Sequence, residues 1–94
     1  MIKSFRSKET ESLFNRERSR RIPHDIQSIA LRKLVMLDAA TGIGDLRIPP
    51  SNHLEFLKGN RKGQHSIRVN KQWRVCFRWH DGNAYDVEII DYHS

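Results

Sequence analysis

The spacing of hydrophobic residues changes near the middle of the chain. Between Pro23 and about Ala40, apolar residues recur every three or four positions, which predicts an amphipathic helix. A smaller apolar face with acidic residues close to its start predicts a shorter helix from Lys8 to about Glu17. The first half of the chain is therefore expected to be mainly helical.

The second half alternates apolar and polar residues with a period of two, which predicts half-buried strands. We expect such strands at residues 54–57, 65–70, 73–79 and 85–89, and the apolar residues of segment 1–5 are compatible with a further strand. Residues 45–52 contain two consecutive prolines and are expected to form a loop or an extended crossover. We predict a single α+β domain, residues 1–94, with both helices packed on one face of a mostly antiparallel sheet.

The register of the last hairpin can be predicted from the same alternation. A two-residue loop would place the apolar Phe77 opposite the charged Asp86. A three-residue loop at residues 80–82 avoids that pairing and sets Arg74 opposite Glu88. We therefore predict the three-residue loop and a partial neutralisation of Arg74 by Glu88, which favours a structural role for Arg74 over a catalytic one.

The charge of the chain indicates an anionic partner. Seventeen Lys and Arg residues against eleven Asp and Glu residues give a net charge of +6, and the pI is near 10.0. Between Phe56 and His80 there is no acidic residue. A clustered basic surface is typical of proteins that bind nucleic acid or an acidic protein. The cations of this stretch are Lys58, Arg61, Lys62, Arg68, Lys71, Arg74 and Arg78.

A second basic run, from Arg16 to Arg21, precedes the main helix. Charge runs most often form solvated faces, so we interpret this one as an exposed connection between the two helices. The alternative is a second phosphate contact or a docking edge for a protein partner.

The composition disfavours several other classes of protein. No apolar run approaches the ~20 residues of a membrane helix, and residues 1–8 lack the apolar core of a signal peptide. Cys76 is the single cysteine, so neither a disulfide framework nor a zinc knuckle is expected. The histidines are dispersed and no carboxylate cluster has ligand spacing, so we expect no metal or other cofactor. A reducing cytoplasm and no membrane partner are the resulting expectations.

The end of the chain carries side chains that can transfer protons. Asp91, Tyr92 and His93 follow directly on the apolar end of the last predicted strand. A basic surface with an acid/base cluster at its edge suggests chemistry on a phosphate backbone.

Four blocks in the second half carry a family resemblance. They are residues 57–61 (LKGNR), 63–70 (GQHSIRVN), 72–77 (QWRVCF) and 87–93 (VEIIDYH), and segments 1–5 and 33–40 match as well. With these blocks the chain resembles the HigB toxins of the RelE superfamily, small bacterial toxins with a microbial-ribonuclease-like fold. The resemblance implies cleavage of messenger RNA in the ribosomal A site. It also implies a HigA-like antitoxin with a helix-turn-helix domain, through which alone operator DNA would be contacted.

Metal-free RNA cleavage requires proton transfer and stabilisation of the phosphorane. His93 is the first candidate for proton transfer because its ordinary pKa of about 6.5 lies closest to working pH. Asp91 is the base or orients His93, and Tyr92 stacks on a base or positions the scissile phosphate. Arg68, on the polar face of a central strand, is the candidate that stabilises the phosphorane.

One position departs from the family pattern. Glu55 stands two residues before the Leu-Lys-Gly turn, where some HigB toxins carry a histidine. Either Glu55 takes the role of base, or His53 reaches into the site, or the enzyme is weak; we expect weak-to-moderate activity. Phosphate contacts with RNA or the ribosome are expected from a basic set. That set is Lys58, Arg61, Lys62, His53, Lys71, Arg74 and Arg78.

Two other functions remain open from the sequence. The chain is a ribosome-dependent mRNA endoribonuclease in the leading hypothesis. The first alternative is a non-catalytic RNA- or ribosome-binding domain that acts by occupancy. The second is a basic interaction module that binds the antitoxin only.

Overall fold

Two helices and a four-stranded antiparallel sheet form the structure, a computed structural model that describes residues 1–92. Helices α1 and α2 span Lys8–Phe14 and His24–Ala39. Strands β1 to β4 lie in the order of the chain, each antiparallel to the next. They span Glu55–Phe56, His65–Arg68, Trp73–His80 and Asn83–Asp91. The predicted α+β architecture is confirmed.

Helix α1 is shorter than predicted. It begins where the Ser7 side chain caps the helix by accepting a hydrogen bond from the backbone N–H of Thr10 at 3.1 Å. It ends at Phe14 instead of Glu17, because Arg16 adopts a positive φ of 61° that no helix can continue. The extra residues belong to the loop that leads into α2.

Helix α2 agrees with its predicted bounds to within one residue at each end. Its residues Ala30, Leu34 and Leu37 are completely buried, and they share one hydrophobic cluster with Val75 and Phe77 of β3. The helices thus cover one face of the sheet, here called the helix face. The other is called the open face. Neither helix in the described part of the chain has the length and hydrophobicity to cross a bilayer.

The crossover from α2 to β1 is more regular than the predicted loop. It contains two turns of 3₁₀ helix, Ile43–Arg47 and Pro50–Asn52. The buried Lys33 of α2 donates a hydrogen bond from Nζ to Oδ1 of Asn52 at 2.6 Å. Burial, with a smaller contribution from Arg32, lowers the pKa of Lys33. This contact fixes the position of Asn52. The next residue, His53, lies just before the edge strand β1.

The N-terminal segment lies along the outer edge of β4. The backbone N–H of Lys3 donates to the carbonyl of Ala84 at 2.8 Å, and that of Arg6 donates to Val87 at 3.0 Å. Isolated parallel bridges join Ile2 to Ala84 and Phe5 to Val87. Segment 1–5 therefore adds a short parallel edge to an otherwise antiparallel sheet, as its apolar residues allow.

The predicted register of the last hairpin is wrong. Asp81 and Gly82 both have positive φ and form a two-residue turn, so His80 pairs with Asn83. Further along, a β-bulge sets two residues, Asp86 and Val87, opposite Phe77. Asp86 takes a positive φ of 53°, and its backbone N–H donates to the hydroxyl of Ser4 at 2.8 Å. The bulge places Val87 in the hydrophobic core with Phe77, while the carboxylate of Asp86 lies 3.5 Å from Nε of Arg78.

The open face of the sheet carries a row of polar side chains that is buried at its centre, at Ser66 and Cys76. Glu55, Ser66, Cys76 and Glu88 lie in one row across the four strands. Burial, the largest cause, raises the pKa of the Cys76 thiol to about 11. The chain between β1 and β2 covers this row, and Nη1 of Arg61 pairs with the carboxylate of Glu88 at 2.9 Å. The open face is therefore solvent-free at its centre and accessible at its end.

Candidate active site

Two arginines face each other on the open face, where β2 ends and β3 begins. Arg68 and Arg74 are direct partners in the β2–β3 ladder, so both side chains leave the same face of the sheet. Arg68 is half-buried and makes no salt bridge within residues 1–92. Like charges placed directly opposite each other repel, so this pair favours an anion between or above them.

Arg74 is held rigidly from below. Only 7% of its surface is exposed. Its Nε donates to the hydroxyl of Ser66 at 2.7 Å, and its Nη2 donates to the backbone carbonyl of His53. The Glu55 carboxylate lies 3.9 Å from Nη1, which is a weak contact because half of the Glu55 side chain is exposed. Because its hydrogen bonds go to neutral groups, the positive charge of Arg74 is only weakly compensated within the described residues.

The predicted neutralisation of Arg74 by Glu88 is wrong. The bulge in β4 shifts the register so that Arg74 lies opposite Ile90. Glu88 accepts from Arg61 instead, with Arg6 at 3.9 Å as a second cation. The buried hydrogen bonds of Arg74 nevertheless agree with the structural contribution expected for it.

Tyr92 closes the end of the site. The guanidinium carbon of Arg74 lies 5.5 Å from the centre of the Tyr92 ring, within the range of a cation–π contact. The backbone N–H of Tyr92 donates to the carbonyl of Gln72 at 2.7 Å. The side chain of Gln72 donates from Nε2 to Oδ2 of Asp91 at 3.0 Å. Gln72 therefore holds both neighbouring tip residues in place.

Gln72 is not predicted from the sequence. The signal that identifies it is the β3–β4 register, because Trp73 pairs with Asp91 and so brings residue 72 beside residue 92. Asp91 is the last residue of β4, and it does not line the space between Arg68 and Arg74. His93 lies outside the described residues.

These side chains enclose a small basic cleft of about 190 Å³, here called the strand cleft. Arg68, Arg74 and Lys71 supply its positive charge, and Glu55 supplies a carboxylate. Asn70 shapes its rim, since Oδ1 of Asn70 accepts from the backbone N–H groups of Gln72 and Trp73, both at 2.8 Å. The remaining walls are His53 and Tyr92. The cleft brings together six residues of the predicted set.

A second cleft of about 420 Å³ shares two walls with the strand cleft. Glu55 and Tyr92 line both clefts. The other residues that line the second cleft are Phe56, Leu57 and Lys58. The ring of Phe56 packs on His65 with centroids 4.9 Å apart, and burial lowers the pKa of that histidine. Tyr92 and Glu55 thus stand between two adjacent binding spaces.

Other predicted RNA contacts lie elsewhere. Arg61 is engaged with Glu88 and also donates to Oε1 of Gln64 at 3.2 Å. Arg78 lies towards the hairpin end of β3, where its Nε is 3.5 Å from the Asp86 carboxylate. Lys62 is exposed after the short 3₁₀ turn Gly59–Arg61. Within residues 1–92 no three His, Cys, Asp or Glu side chains are grouped closely enough to hold a metal ion.

The sequence matches a known class of toxin. Residues 3–93 match the family model of the RelE-like toxin of the type II toxin-antitoxin system HigB. The chain belongs to this family of HigB-like toxins.

Individual relatives agree with that assignment. The chain is 49% identical over 90 residues to Toxin HigB-1 of Vibrio cholerae serotype O1, covering 95% of each chain. It is 39% identical over 94 residues to Endoribonuclease HigB of Proteus vulgaris, covering 99% of this chain and 100% of the relative. A YoeB-YefM complex from Staphylococcus aureus contains a chain of the same fold, with a TM-score of 0.61 and 16% identity. That comparison covers 100% of this chain and 99% of the other.

Proposed function

We propose that this toxin is a ribosome-dependent endoribonuclease that cleaves messenger RNA in the ribosomal A site and so inhibits translation and growth. Membership of the HigB-like family and the name of the Proteus vulgaris relative support this activity. The observation that carries the proposal is the strand cleft. It sets Arg68, which has no salt-bridge partner within residues 1–92, opposite the anchored Arg74.

The scissile phosphate would bind between these two arginines. Cleavage removes the proton of the 2′-hydroxyl, joins the 2′-oxygen to phosphorus and breaks the bond from phosphorus to the 5′-oxygen, which takes up a proton. The products are a 2′,3′-cyclic phosphate and a 5′-hydroxyl. Charges that are fixed in advance stabilise the phosphorane most effectively, because they need no reorganisation during the reaction. Arg74 is fixed by Ser66 and His53, and Arg68 supplies the free charge.

Proton transfer is assigned to groups around the mouth of the cleft. The exposed carboxylate of Glu55 lines both clefts and is a candidate base in the place of the family histidine. His93 is the candidate acid. The hydrogen bond from Gln72 favours Asp91 as the residue that orients His93 rather than as a base. Tyr92 positions the phosphate or stacks on a base, with its ring already beside Arg74.

Further phosphates of the RNA would be bound by exposed cations around the two clefts. Lys58 lines the second cleft, and Lys71 and His53 line the first. Lys62 is exposed nearby in the chain. Arg61 and Arg78 would have to exchange their carboxylate partners for phosphates, so we assign them smaller contributions to RNA binding.

The partner of a type II toxin is an antitoxin. We propose that it is a HigA-like protein with a helix-turn-helix domain, encoded beside this toxin, and that the toxin reaches operator DNA only through it. The site of action is the cytoplasm, where ribosomes and messenger RNA are present. No membrane partner is proposed.

The proposed activity can be tested with programmed ribosomes in a reconstituted translation system. Wild-type protein should cut the message within the A-site codon, and should leave the same message intact without ribosomes. Arg68→Gln should reduce cleavage by about 10²–10³, the effect of losing one charge from a transition-state site. Arg47→Gln, an exposed arginine outside both clefts, is the matched control and should cleave normally. Equal cleavage by Arg68→Gln and Arg47→Gln would refute the assignment.

Inhibition by occupancy is the second candidate. The observation that favours it is Glu55, a carboxylate in the position where some family members carry a histidine. In that case the protein would co-sediment with ribosomes and translation would stop, but primer extension would find no cut in the message. Glu55→His is the discriminating variant, because it should raise cleavage if Glu55 limits the chemistry.

A further inference from the structure

A third cleft, which is also basic, lies in the loop between α1 and α2. It encloses about 500 Å³, more than the strand cleft, and none of the proposed chemistry uses it. Arg16, Arg18 and Arg20 line it together with His24. We call it the loop cleft.

Hydrogen bonds fix the backbone of the loop cleft. Nε2 of Gln27, in α2, donates to the carbonyl of Ser19 at 3.1 Å and to that of Ile22 at 2.8 Å. Ser19 is 6% exposed, and Ile22 is buried in the hydrophobic core. The backbone N–H of Glu17 donates to the carbonyl of Ser12 at 2.8 Å. The arginines are therefore presented from a defined scaffold.

The charge of the loop cleft is not compensated within the described chain. Three arginines and one glutamate, Glu17, line the cleft, so the excess of positive charge among these residues is 3 − 1 = +2. None of these arginines forms a salt bridge within residues 1–92. The guanidinium of Arg16 donates to the backbone carbonyl of Phe14 at 2.8 Å, which leaves its charge in place. The contrast is with Arg61, whose charge is satisfied by Glu88.

The surface chemistry of the loop cleft fits a polyanion better than a protein. Protein interfaces depend on buried apolar or aromatic anchors at their centre. Ile22, which lines this cleft, is only 5% exposed and already belongs to the core, and its neighbour Pro23 is small. The large exposed apolar residues of the described chain lie outside residues 16–24. Arginine binds phosphate through two parallel hydrogen bonds, so three exposed arginines suit a phosphate backbone.

The two basic clefts lie on opposite sides of the sheet. Arg74 points from the open face, because its neighbour Val75 is buried against the helices. The loop cleft is formed by the segment that joins the two helices on the other face. One extended strand of RNA in the strand cleft cannot also fill the loop cleft without turning around the edge of the molecule.

We infer that the loop cleft binds the phosphate backbone of a second RNA segment, distinct from the strand that is cleaved. If the proposed function holds, this segment is ribosomal RNA. Its contribution is to the affinity for the ribosome and not to the chemistry. The loop cleft thus gives the toxin a second contact with a large RNA assembly.

The test is the triple variant Arg16→Gln/Arg18→Gln/Arg20→Gln, compared with a control that removes three exposed cations elsewhere. Lys3→Gln/Lys8→Gln/Arg47→Gln serves as that control, since all three residues are exposed and lie outside the three clefts. Binding to ribosomes and to a 16-base-pair RNA duplex is measured across a salt series. The loop variant should lose at least tenfold in affinity, and its slope of log affinity against log salt should be shallower by about two to three. The control should lose clearly less.

Three results would overturn the inference. One is unchanged RNA affinity of the loop variant, and another is an equal loss in both triple variants, which reflects net charge alone. The third is normal RNA binding together with loss of antitoxin binding, which makes the cleft a protein dock. The RNA duplex separates this inference from the proposed function, because wild type can bind the duplex through the loop cleft even if it fails to cut messages. Unchanged melting temperatures of both variants establish that their folds are intact.

Discussion

The strand cleft contains one buried and anchored arginine, whereas the three arginines that line the loop cleft are all exposed. Arg74 is buried and fixed by hydrogen bonds to Ser66 and to His53, while Arg68 faces it across the ladder. Arg18 and Arg20 stand exposed on a loop without a salt-bridge partner in the described chain. Fixed charge is what a transition state requires, whereas exposed charge is sufficient to hold a polyanion. The difference indicates chemistry in the first cleft and binding in the second.

Removal of the residues that follow Ile90 should disrupt the strand cleft most completely. A chain that ends at Ile90 loses Asp91, Tyr92 and His93, and with them the aromatic wall and the candidate acid. Cleavage on programmed ribosomes should fall by at least about 10³, because more than one group is lost from the transition state. Removal of Ser94 alone is the control and should leave cleavage intact. Undiminished cleavage by the chain ending at Ile90 would show that the chemistry lies elsewhere.

Arg74 should be important for stability as well as for activity. Arg74→Gln loses hydrogen bonds to Ser66 and His53 in a buried position, so the free energy of unfolding should drop by about 2–3 kcal/mol. Arg18→Gln, in the loop cleft, should change it by no more than about 0.5 kcal/mol, because that side chain is exposed. Urea denaturation measures both. Equal destabilisation by the two variants would erase the distinction between a buried and an exposed cation site.

The buried thiol of Cys76, on the open face of the sheet, should make the stability of the protein depend on pH. The pKa of Cys76 is raised to about 11 by burial, so the folded protein keeps a proton that the unfolded chain releases above about pH 9. Stability should therefore fall by about 2 kcal/mol between pH 9 and pH 11. The lowered pKa of Lys33 acts in the opposite direction, so the comparison must be made with Cys76→Ala. That variant should lack this fall, and parallel pH profiles would contradict a buried thiol.

Gln72 should act on the strand cleft through the tip residues. Gln72→Ala removes the hydrogen bond to Asp91 but keeps the backbone bond to Tyr92, so cleavage should decrease about five- to tenfold. The free energy of unfolding should change by no more than about 1 kcal/mol, since the side chain is exposed. Gln72→Glu sets a carboxylate against Asp91 and should be worse than Gln72→Ala. If either of these variants cleaved as fast as wild type, Gln72 would have no role in the site.

Local patterns predicted the helices and strands but not the contacts that join them. The apolar repeat of α2 predicted its ends to within one residue, because burial of one face decides where such a helix lies. The alternation in the last hairpin failed because a bulge at Asp86 changes the register, and that bulge is bound to Ser4 at the other end of the chain. No short-range pattern contains such a contact.

The candidate site was predicted where it depends on strand position and missed where it depends on tertiary structure. Arg68 and Tyr92 lie together as their positions at the strand ends suggest. The pairing of Arg61 with Glu88 joins residues 27 positions apart, and the anchoring of Arg74 by the His53 carbonyl requires the turn at Pro50–Asn52. These contacts decide which cations are free to bind RNA.

The most direct test of the division between the clefts is single-turnover cleavage on programmed ribosomes across a range of protein concentrations. Arg68→Gln should lower the rate at saturating protein by about 10²–10³ and leave the concentration needed for half-saturation nearly unchanged. Arg16→Gln/Arg18→Gln/Arg20→Gln should raise that concentration at least tenfold, with its effect on the saturating rate much smaller than that of Arg68→Gln. A saturating rate reduced as strongly by the loop variant as by Arg68→Gln would contradict the assignment of chemistry to the strand cleft and binding to the loop cleft.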